Sequence, residues 1–174
     1  MIAGLDLASK ETNPSGVCTL DSLDCRVVYR DQEILKALKG AQVVAVDAPL
    51  TMEKPWRKAE KELLKMGYRP LPLSLPSMVE LHKRAVRLKE MLKGTTVIET
   101  FIQPMRTAGA LKLKEIMGWG RDQLDAFLAA LVAKYYREGK AVAVGEEPVY
   151  ILTPEIVEKE VGRLFQNLPF LGKR

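Results

Sequence analysis

The hydrophobic residues of this chain fall into short apolar runs, each bounded by polar or turn-forming residues. Such runs predict strands buried on both faces, and stretches such as SKETNPSG predict the turns between them. The strands are predicted at IAGLDLA (2–8), GVCTL (16–20), CRVVY (25–29), VVAV (43–46) and TTVIETF (95–101), with two further short strands in AVAVGEEPVYIL (141–152). The second and third surround the tight turn DSLD and therefore predict a hairpin.

Other segments carry apolar residues at helical spacing. Helices are predicted at QEILKALKG (32–40), from Lys54 to Gly67, from about Met78 to Lys93, at RDQLDAFLAALVAKYYREG (121–139) and around Glu155 to Phe165. The segment 103–120 is predicted to be a loop that holds a short helix. The order of strand, hairpin, helix, strand, helical segment, strand and helix is typical of an α/β fold with parallel strands.

The length and composition fit one globular domain. The chain has 174 residues, of which 47% are hydrophobic and 28% are charged, and a chain of this size buries roughly two-thirds of its unfolded surface in a single core. No apolar run approaches the ~20 residues of a membrane span, and the amino terminus lacks a basic and apolar signal region. We therefore expect a single cytoplasmic domain over residues 1–174 without a membrane partner, and a homodimer stays open.

Cys18 and Cys25 lie on the two arms of the predicted hairpin. This placement permits a cross-strand disulfide. Because disulfides are rare inside cells, we expect two reduced, buried thiols instead.

The net charge of +5 is concentrated in one segment. Residues 54–93 hold eleven basic and four acidic residues, whereas the rest of the chain is slightly acidic. A basic surface is typical of proteins that bind an anionic polymer, although a solvated helix face rich in lysine gives the same pattern. His82, the single histidine, lies in this segment and is expected at an exposed position or at a phosphate. The residues predicted to contact nucleic acid are Lys10, Arg57, Lys58, Lys61, Arg84 and Arg87.

Acidic residues stand within or at the end of three predicted strands. Asp6, Asp47 and Glu99 belong to these strands, and Asp125 lies near the start of the helix at 121–139. The carboxyl ends of parallel strands meet at one edge of a sheet, where open α/β sheets bind ligands. If the four carboxylates converge there, their repulsion requires a cation, and hard oxygen ligands favour Mg²⁺ or Mn²⁺. All four are therefore predicted as metal ligands and catalytic residues, and two ions held by shared carboxylates suit hydrolysis of a phosphodiester.

Each carboxylate also has a purely structural interpretation. Asp6 at a strand end can bind backbone amides, and Asp47 before Ala-Pro can cap a turn. Glu99 can pair with a lysine of the basic segment. Asp122 and Asp125 can simply favour the positive end of the helix dipole. We prefer one shared site to four independent coincidences on the same predicted edge.

Five stretches in this order and spacing resemble the family called domain of unknown function 429: GLDLAS, VAVDAPLT, the PLPLS loop, VIETF and DQLDAFLAALVA. The resemblance runs from Ile2 to about Leu152, and proteins of that family are regarded as predicted nucleases of ribonuclease H-like fold. It implies a mixed sheet of five strands in the order 3-2-1-4-5, with the second strand antiparallel. The sheet is flanked by helices, and a basic helical insertion lies at about 52–93. The resemblance also implies that Asp6, Asp47, Glu99 and Asp125 correspond to the acidic residues of ribonuclease H and Holliday-junction resolvase sites.

The leading functional prediction is a metal-dependent nuclease, a hydrolase that uses Mg²⁺ or Mn²⁺ and binds DNA or RNA through residues 54–93. One alternative is a protein of the same fold that binds nucleic acid without cleaving it. Another is a phosphate- or nucleotide-binding enzyme of the sugar-kinase and actin superfamily. That class uses glycine-rich phosphate turns, and VDAPL lacks these glycines.

Overall fold

The computed structural model describes residues 1–168, and a mixed β-sheet of seven strands forms its centre. The strands are β1 (Ile2–Asp6), β2 (Ser15–Thr19), β3 (Asp24–Val28), β4 (Val43–Asp47), β5 (Thr96–Thr100), β6 (Val142–Val144) and β7 (Val149–Ile151). Their order across the sheet is β3-β2-β1-β4-β5-β7-β6. Neighbours among β1, β4, β5 and β7 pair in parallel, whereas β2 and β6 pair antiparallel to their neighbours. The predicted α/β class is confirmed.

The strand number implied by the family resemblance is wrong. The sheet has seven strands rather than five, because β7 adds in parallel to β5 and β6 then pairs with β7 as a hairpin. The apolar pattern of residues 141–152 predicts both of these strands. The order β3-β2-β1-β4-β5, with β2 antiparallel to β1, is present as one part of the larger sheet.

Six α-helices connect and cover the strands in residues 1–168. They are α1 (Asp31–Leu38), α2 (Lys58–Lys65), α3 (Pro76–Met91), α4 (Ala108–Met117), α5 (Arg121–Arg137) and α6 (Pro154–Asn167). α2 begins at Lys58 rather than at Lys54, and α4 is longer than the short helix predicted there. The Thr107 side chain caps α4, and Gly118 ends it in the left-handed conformation. Within the described range, no helix combines the length and apolar character that a membrane crossing requires.

Helix α5 packs directly on the centre of the sheet. Every residue from Leu124 to Ala133 is buried. Gly4 of β1 faces the backbone of Ala126, and a Cβ at position 4 would overlap it. Gly16 of β2 lies equally close to the Asp122 carbonyl group. The first turns of α5 therefore contact β1 and β2 through the main chain.

The opposite face of the sheet is covered by α1 and α3. Ile34 and Leu38 of α1, together with Ala85 and Leu88 of α3, belong to the core that packs on alternate residues of β1 and β4. Parallel strands require a crossover connection, and α3 packs against the sheet as the crossover between β4 and β5. This half of the predicted insertion at about 52–93 is therefore part of the core.

Helix α2 lies beside the β6–β7 hairpin. Leu63 packs on Val144 and Ile151, and the Gly145 N–H donates a hydrogen bond to Glu62. The remaining half of the predicted insertion thus attaches to the two strands that extend the sheet beyond β5.

Cys18 and Cys25 are joined by a disulfide across the β2–β3 hairpin. The two residues are direct partners in the antiparallel register, so their side chains lie on the same face of the sheet. This corrects the expectation of two reduced thiols.

Candidate functional site

A cavity of about 360 Å³ opens at the carboxyl ends of β1, β4 and β5. Asp6, Asp47 and Glu99 line it from these three strands. Arg106 lines it from the segment between β5 and α4, and Arg121 lines it from the start of α5. Open α/β sheets bind ligands at this edge, so the cavity is the candidate site.

Asp6 and Asp47 stand side by side in this cavity. They are the last residues of β1 and β4 and are direct partners in the parallel register. Side chains alternate along a strand, and Gly4 and Ala45, two residues earlier, face the α5 side of the sheet. Both aspartates therefore lie on the α5 side. Because Asp125 is on the first turns of α5, three aspartates gather there.

The carboxyl groups of Asp6 and Asp47 have perturbed acidity. Burial raises the pKa of Asp6 from 3.8 to about 7, and the negative charges of Asp125 and Asp122 add to the rise. Burial also raises the pKa of Asp47 well above its usual range, with contributions from Asp6 and Asp125. The Arg106 guanidinium lowers the pKa of both groups but does not cancel the rise. Burial and mutual repulsion therefore oppose full ionisation of the two carboxyl groups.

Asp125 is held by an arginine. It is 2% exposed and accepts two hydrogen bonds from Arg106, Nε to Oδ1 at 2.9 Å and Nη2 to Oδ2 at 2.6 Å. Arg121 adds a longer contact of 3.5 Å to Oδ2. A two-pronged ion pair of this kind fixes the carboxylate and offsets its charge. Asp125 thus belongs to the acidic group but already has a cationic partner.

Glu99 lies on the other side of the same sheet edge. Val97, two residues earlier, packs on the core beneath α1 and α3, so alternation along β5 turns Glu99 away from α5. Its carboxylate accepts hydrogen bonds from Arg57 Nη1 at 2.9 Å, Arg57 Nη2 at 2.6 Å and the Leu50 N–H at 2.7 Å. Arg57 also binds Glu60, and all three charged side chains are buried. Burial raises the pKa of Glu99, and Arg57 opposes that rise.

This contact agrees with the structural interpretation of Glu99, with Arg57 in place of the expected lysine. It separates Glu99 from the three aspartates, although all four carboxylates surround one sheet edge. The predicted group of four therefore divides into Asp6, Asp47 and Asp125 on one face and Glu99 on the other.

The carboxylate oxygens of the cavity divide into those held in ion pairs and those of Asp6 and Asp47. In the described part of the chain, no three acidic, histidine or cysteine side chains are arranged to hold a metal ion. Arg106 holds Asp125, and Arg57 holds Glu99. The Asp6–Asp47 pair is left, and the lining of the cavity formed by described residues contains neither cysteine nor histidine. Carboxylate oxygens alone are the ligand set that Mg²⁺ and Mn²⁺ prefer.

The predicted nucleic-acid contacts divide into buried and exposed residues. Arg57 is enclosed by the two glutamates described above. Arg84 is 3% exposed and donates hydrogen bonds to Asp31 and to two carbonyl oxygens. Both guanidinium groups therefore serve the fold rather than a polymer at the surface. The exposed members of the predicted set are Lys10, Lys58, Lys61 and Arg87, of which Lys58 pairs with Glu146 and Arg87 with Asp31.

Three arginines and one hydroxyl group of the cavity are absent from the predicted set, namely Arg69, Arg106, Arg121 and Thr100. Arg106 and Arg121 lie outside the basic segment, so the distribution of charge along the chain does not single them out. A signal was present for Arg121, which precedes Asp125 by four residues on the same helix. Thr100 also lines the cavity, but a threonine in a β-branched strand gives no functional signal.

His82 contacts the loop that follows Asp47. Its Nδ1 lies 3.0 Å from the carbonyl oxygen of Pro49, and its side chain is partly buried. His82 thus ties α3 to this loop instead of occupying the exposed position expected from the sequence.

No protein-family model, curated protein or solved structure matches the chain. The α/β class is therefore supported by the sheet and helices described above. The resemblance to the family called domain of unknown function 429 stays a prediction.

Proposed function

We propose that the protein is a metal-dependent nuclease of ribonuclease H-like fold that hydrolyses phosphodiester bonds with Mg²⁺ or Mn²⁺. The observation that supports this most strongly is the Asp6–Asp47 pair, two adjacent strand-end carboxyl groups with raised pKa values beside a third aspartate. Two like charges placed side by side destabilise a fold unless a proton or a cation offsets them. Arg106 offsets part of the charge of the pair, and a bound divalent cation would offset the remainder. A divalent cation, when bound there, supplies Lewis acidity and an activated water for phosphodiester hydrolysis.

In this proposal the three aspartates hold the cations and Glu99 has a supporting role. Asp6 and Asp47 would hold the cation through their carboxylate oxygens. Asp125 would contribute a further carboxylate to the site, in competition with its ion pair to Arg106. Glu99 holds Arg57 and the loop after β4 in place.

Arginines of the cavity provide the complementary charge for a phosphate. Arg106 and Arg121 line the same space as the aspartates. Guanidinium groups bind phosphate oxygens in a fixed geometry, and they stabilise negative charge that develops during hydrolysis. The site therefore combines groups that suit a cation with groups that suit an anionic ester.

Exposed lysines on segments that also line the cavity support a polymeric substrate. Lys10 follows β1, while Lys58 and Lys61 are exposed on α2. Contacts of this kind give affinity for the phosphate backbone but carry no sequence information. The proposed substrate class is accordingly nucleic acid, bound through its backbone, and the assay decides between DNA and RNA.

Cleavage assays test the proposal directly. The full chain is incubated with labelled single-stranded, duplex and branched DNA and RNA in excess Mg²⁺, in excess Mn²⁺ and in EDTA. We expect products only with a cation, and a loss on the order of a hundredfold or more for Asp6→Asn and Asp47→Asn. Asp21→Asn, which alters an exposed carboxyl group in the β2–β3 turn, is the matched control and should cleave like the wild type.

Two outcomes overturn the proposal. One is that the folded wild type cleaves none of the substrates. The other is that Asp6→Asn cleaves as fast as the wild type, since a contaminating nuclease would then explain the products.

A second candidate is a protein of the same fold that binds nucleic acid without cleaving it. The Arg106–Asp125 pair favours this candidate, because an internal guanidinium already offsets part of the charge that a cation would neutralise. It requires salt-dependent binding of nucleic acid that Mn²⁺ does not change. Fluorescence anisotropy titrations with and without Mn²⁺ distinguish the two candidates.

A further inference from the structure

One buried hydroxyl group of the site has no hydrogen-bond partner. Thr100, the last residue of β5, is 3% exposed, and its Oγ1 is the single fully buried side-chain polar atom in residues 1–168 without a partner. Leaving such a group unsatisfied destabilises the folded state. Buried hydroxyl groups normally have a hydrogen-bond partner, and even the partly buried Thr95 donates to the Ala41 carbonyl oxygen. The exception at Thr100 therefore calls for a reason.

Thr100 stands in the same row as Asp6 and Asp47. Ile98, two residues earlier on β5, packs in the core beneath α5, so alternation places Thr100 on the α5 side as well. β4 pairs in parallel with both β1 and β5, and Asp6, Asp47 and Thr100 are the last residues of these three neighbouring strands. All three line the cavity.

The neighbours of Thr100 identify the kind of ligand that its hydroxyl suits. Asp6 and Asp47 repel an anion from this row, whereas the arginines that attract a phosphate lie on other segments of the cavity wall. A threonine oxygen is a hard, neutral donor atom that adds no further charge to a crowded acidic pair. Three oxygen-bearing side chains on adjacent strand ends therefore favour a hydrated divalent cation.

We propose that Thr100 is a cation-binding residue, which completes with Asp6 and Asp47 a row of three oxygen ligands for a hydrated Mg²⁺ or Mn²⁺ ion. This inference rests on the proposed function, and it assigns to Thr100 the third position that Glu99 does not fill. Glu99 faces the opposite side of the sheet and is held by Arg57.

The test measures Mn²⁺ binding to the full chain by calorimetry and by electron paramagnetic resonance of the free ion. Thr100→Val removes the hydroxyl and keeps the shape of the side chain, and Thr100→Ser keeps the hydroxyl. We expect Thr100→Val to weaken Mn²⁺ binding by about tenfold and Thr100→Ser to bind close to the wild type. Thr96→Val is the matched control, since Thr96 is exposed at the other end of the same strand and should leave binding unchanged.

A structural role for the hydroxyl gives a different result. If Thr100 only supports the fold, Thr100→Val lowers the unfolding temperature without Mn²⁺ and binds Mn²⁺ like the wild type. Our proposal requires the reverse, with stability unchanged or higher, because an unsatisfied polar group is removed. If Thr100→Val does not fold, the comparison of Thr100→Ala with Thr100→Ser decides in the same way.

The outcomes separate this inference from the proposed function. Wild-type Mn²⁺ affinity in Thr100→Val, together with lost affinity in Asp6→Asn, overturns the role of Thr100 and leaves the nuclease proposal intact. If the wild type neither binds Mn²⁺ nor cleaves nucleic acid, both proposals fail.

Discussion

Substitution of Asp6 by asparagine should stabilise the protein, and the gain should depend on pH. Asp6 is a partly buried carboxyl group beside Asp47, with Asp125 and Asp122 as further negative neighbours. The Asn side chain has nearly the same shape but carries no charge at any pH. The substitution therefore removes the free energy of placing this charge in the folded state while leaving the packing of β1 intact.

The size of the effect follows from the pKa of Asp6. Burial and neighbouring charges raise it from 3.8 to about 7, and this difference corresponds to about 4 kcal/mol of destabilisation once the group is ionised in both states. Between these two pH values the folded state retains a proton that the unfolded state has lost, so the free energy of unfolding falls as pH rises. About 1.5 kcal/mol of the cost is present near pH 5, and about 2.5 kcal/mol more develops by pH 8.

Urea denaturation of the wild type and Asp6→Asn at these two pH values measures the effect, in EDTA so that no cation binds. We expect the difference in unfolding free energy between the two proteins to be larger near pH 8 than near pH 5 by about 2.5 kcal/mol. Asp21→Asn is the control, because its carboxyl group is exposed and lies away from the Asp6–Asp47 pair.

Two results would refute the reasoning. If Asp6→Asn is less stable than the wild type at both pH values, the carboxyl group makes favourable contacts and is not a strained ligand. If the difference does not change with pH, Asp6 titrates alike in the folded and unfolded states, and the Asp6–Asp47 pair has no excess affinity for a cation.

Three further outcomes follow from the ion pairs and the surface. Arg106→Gln leaves the buried Asp125 carboxylate with only the 3.5 Å contact to Arg121. The loss should cost about 3 kcal/mol in EDTA, the lower end of the range for a broken buried ion pair, and Mn²⁺ should restore part of it in thermal unfolding. An unfolding temperature that does not respond to Mn²⁺ would contradict cation binding beside Asp125. Arg57→Met leaves Glu99 and Glu60 buried without a cation, and it should also lower the free energy of unfolding in urea by about 3–5 kcal/mol. A loss below about 1 kcal/mol would show that these three side chains are not desolvated. The double substitution Lys58→Glu and Lys61→Glu should reduce the steepness of log affinity for nucleic acid against log salt concentration by about one per lysine, measured by anisotropy titrations. An unchanged slope would show that nucleic acid does not contact these lysines.

Local sequence patterns were sufficient for the strands and for the position of Asp6 and Asp47. Each aspartate interrupts or ends an apolar run, and a lone charge in such a run marks either a strand end or a site. The parallel register then brings the two residues together. Glu99 obeys the same pattern but faces the other side of the sheet, because its place in the alternation differs by one residue from that of Asp47. That difference depends on the pairing of β4 with β5, which the sequence does not reveal.

Local sequence patterns do not predict the burial of Arg57 and Arg84. Both lie in a basic segment, where arginines normally face water. Their acidic partners Glu99 and Asp31 are 42 and 53 residues away in the chain. A buried ion pair between such distant residues produces no periodic pattern in the sequence. Counting the basic residues of the segment 54–93 therefore overestimated the basic surface that is exposed. For α4 the signal was present, since Thr107 and Gly118 bracket the helix with its cap and its stop.

The absence of a side chain at Gly4 has a consequence for the geometry of the acidic group. At this point α5 and β1 are in contact through their backbones, so no side chain lies between them. The distance between the backbones that carry Asp6 and Asp125 therefore does not depend on the rotamers of the surrounding core. Substitutions that change the volume of the core should leave the relative position of Asp6 and Asp125 unchanged as long as residue 4 is glycine.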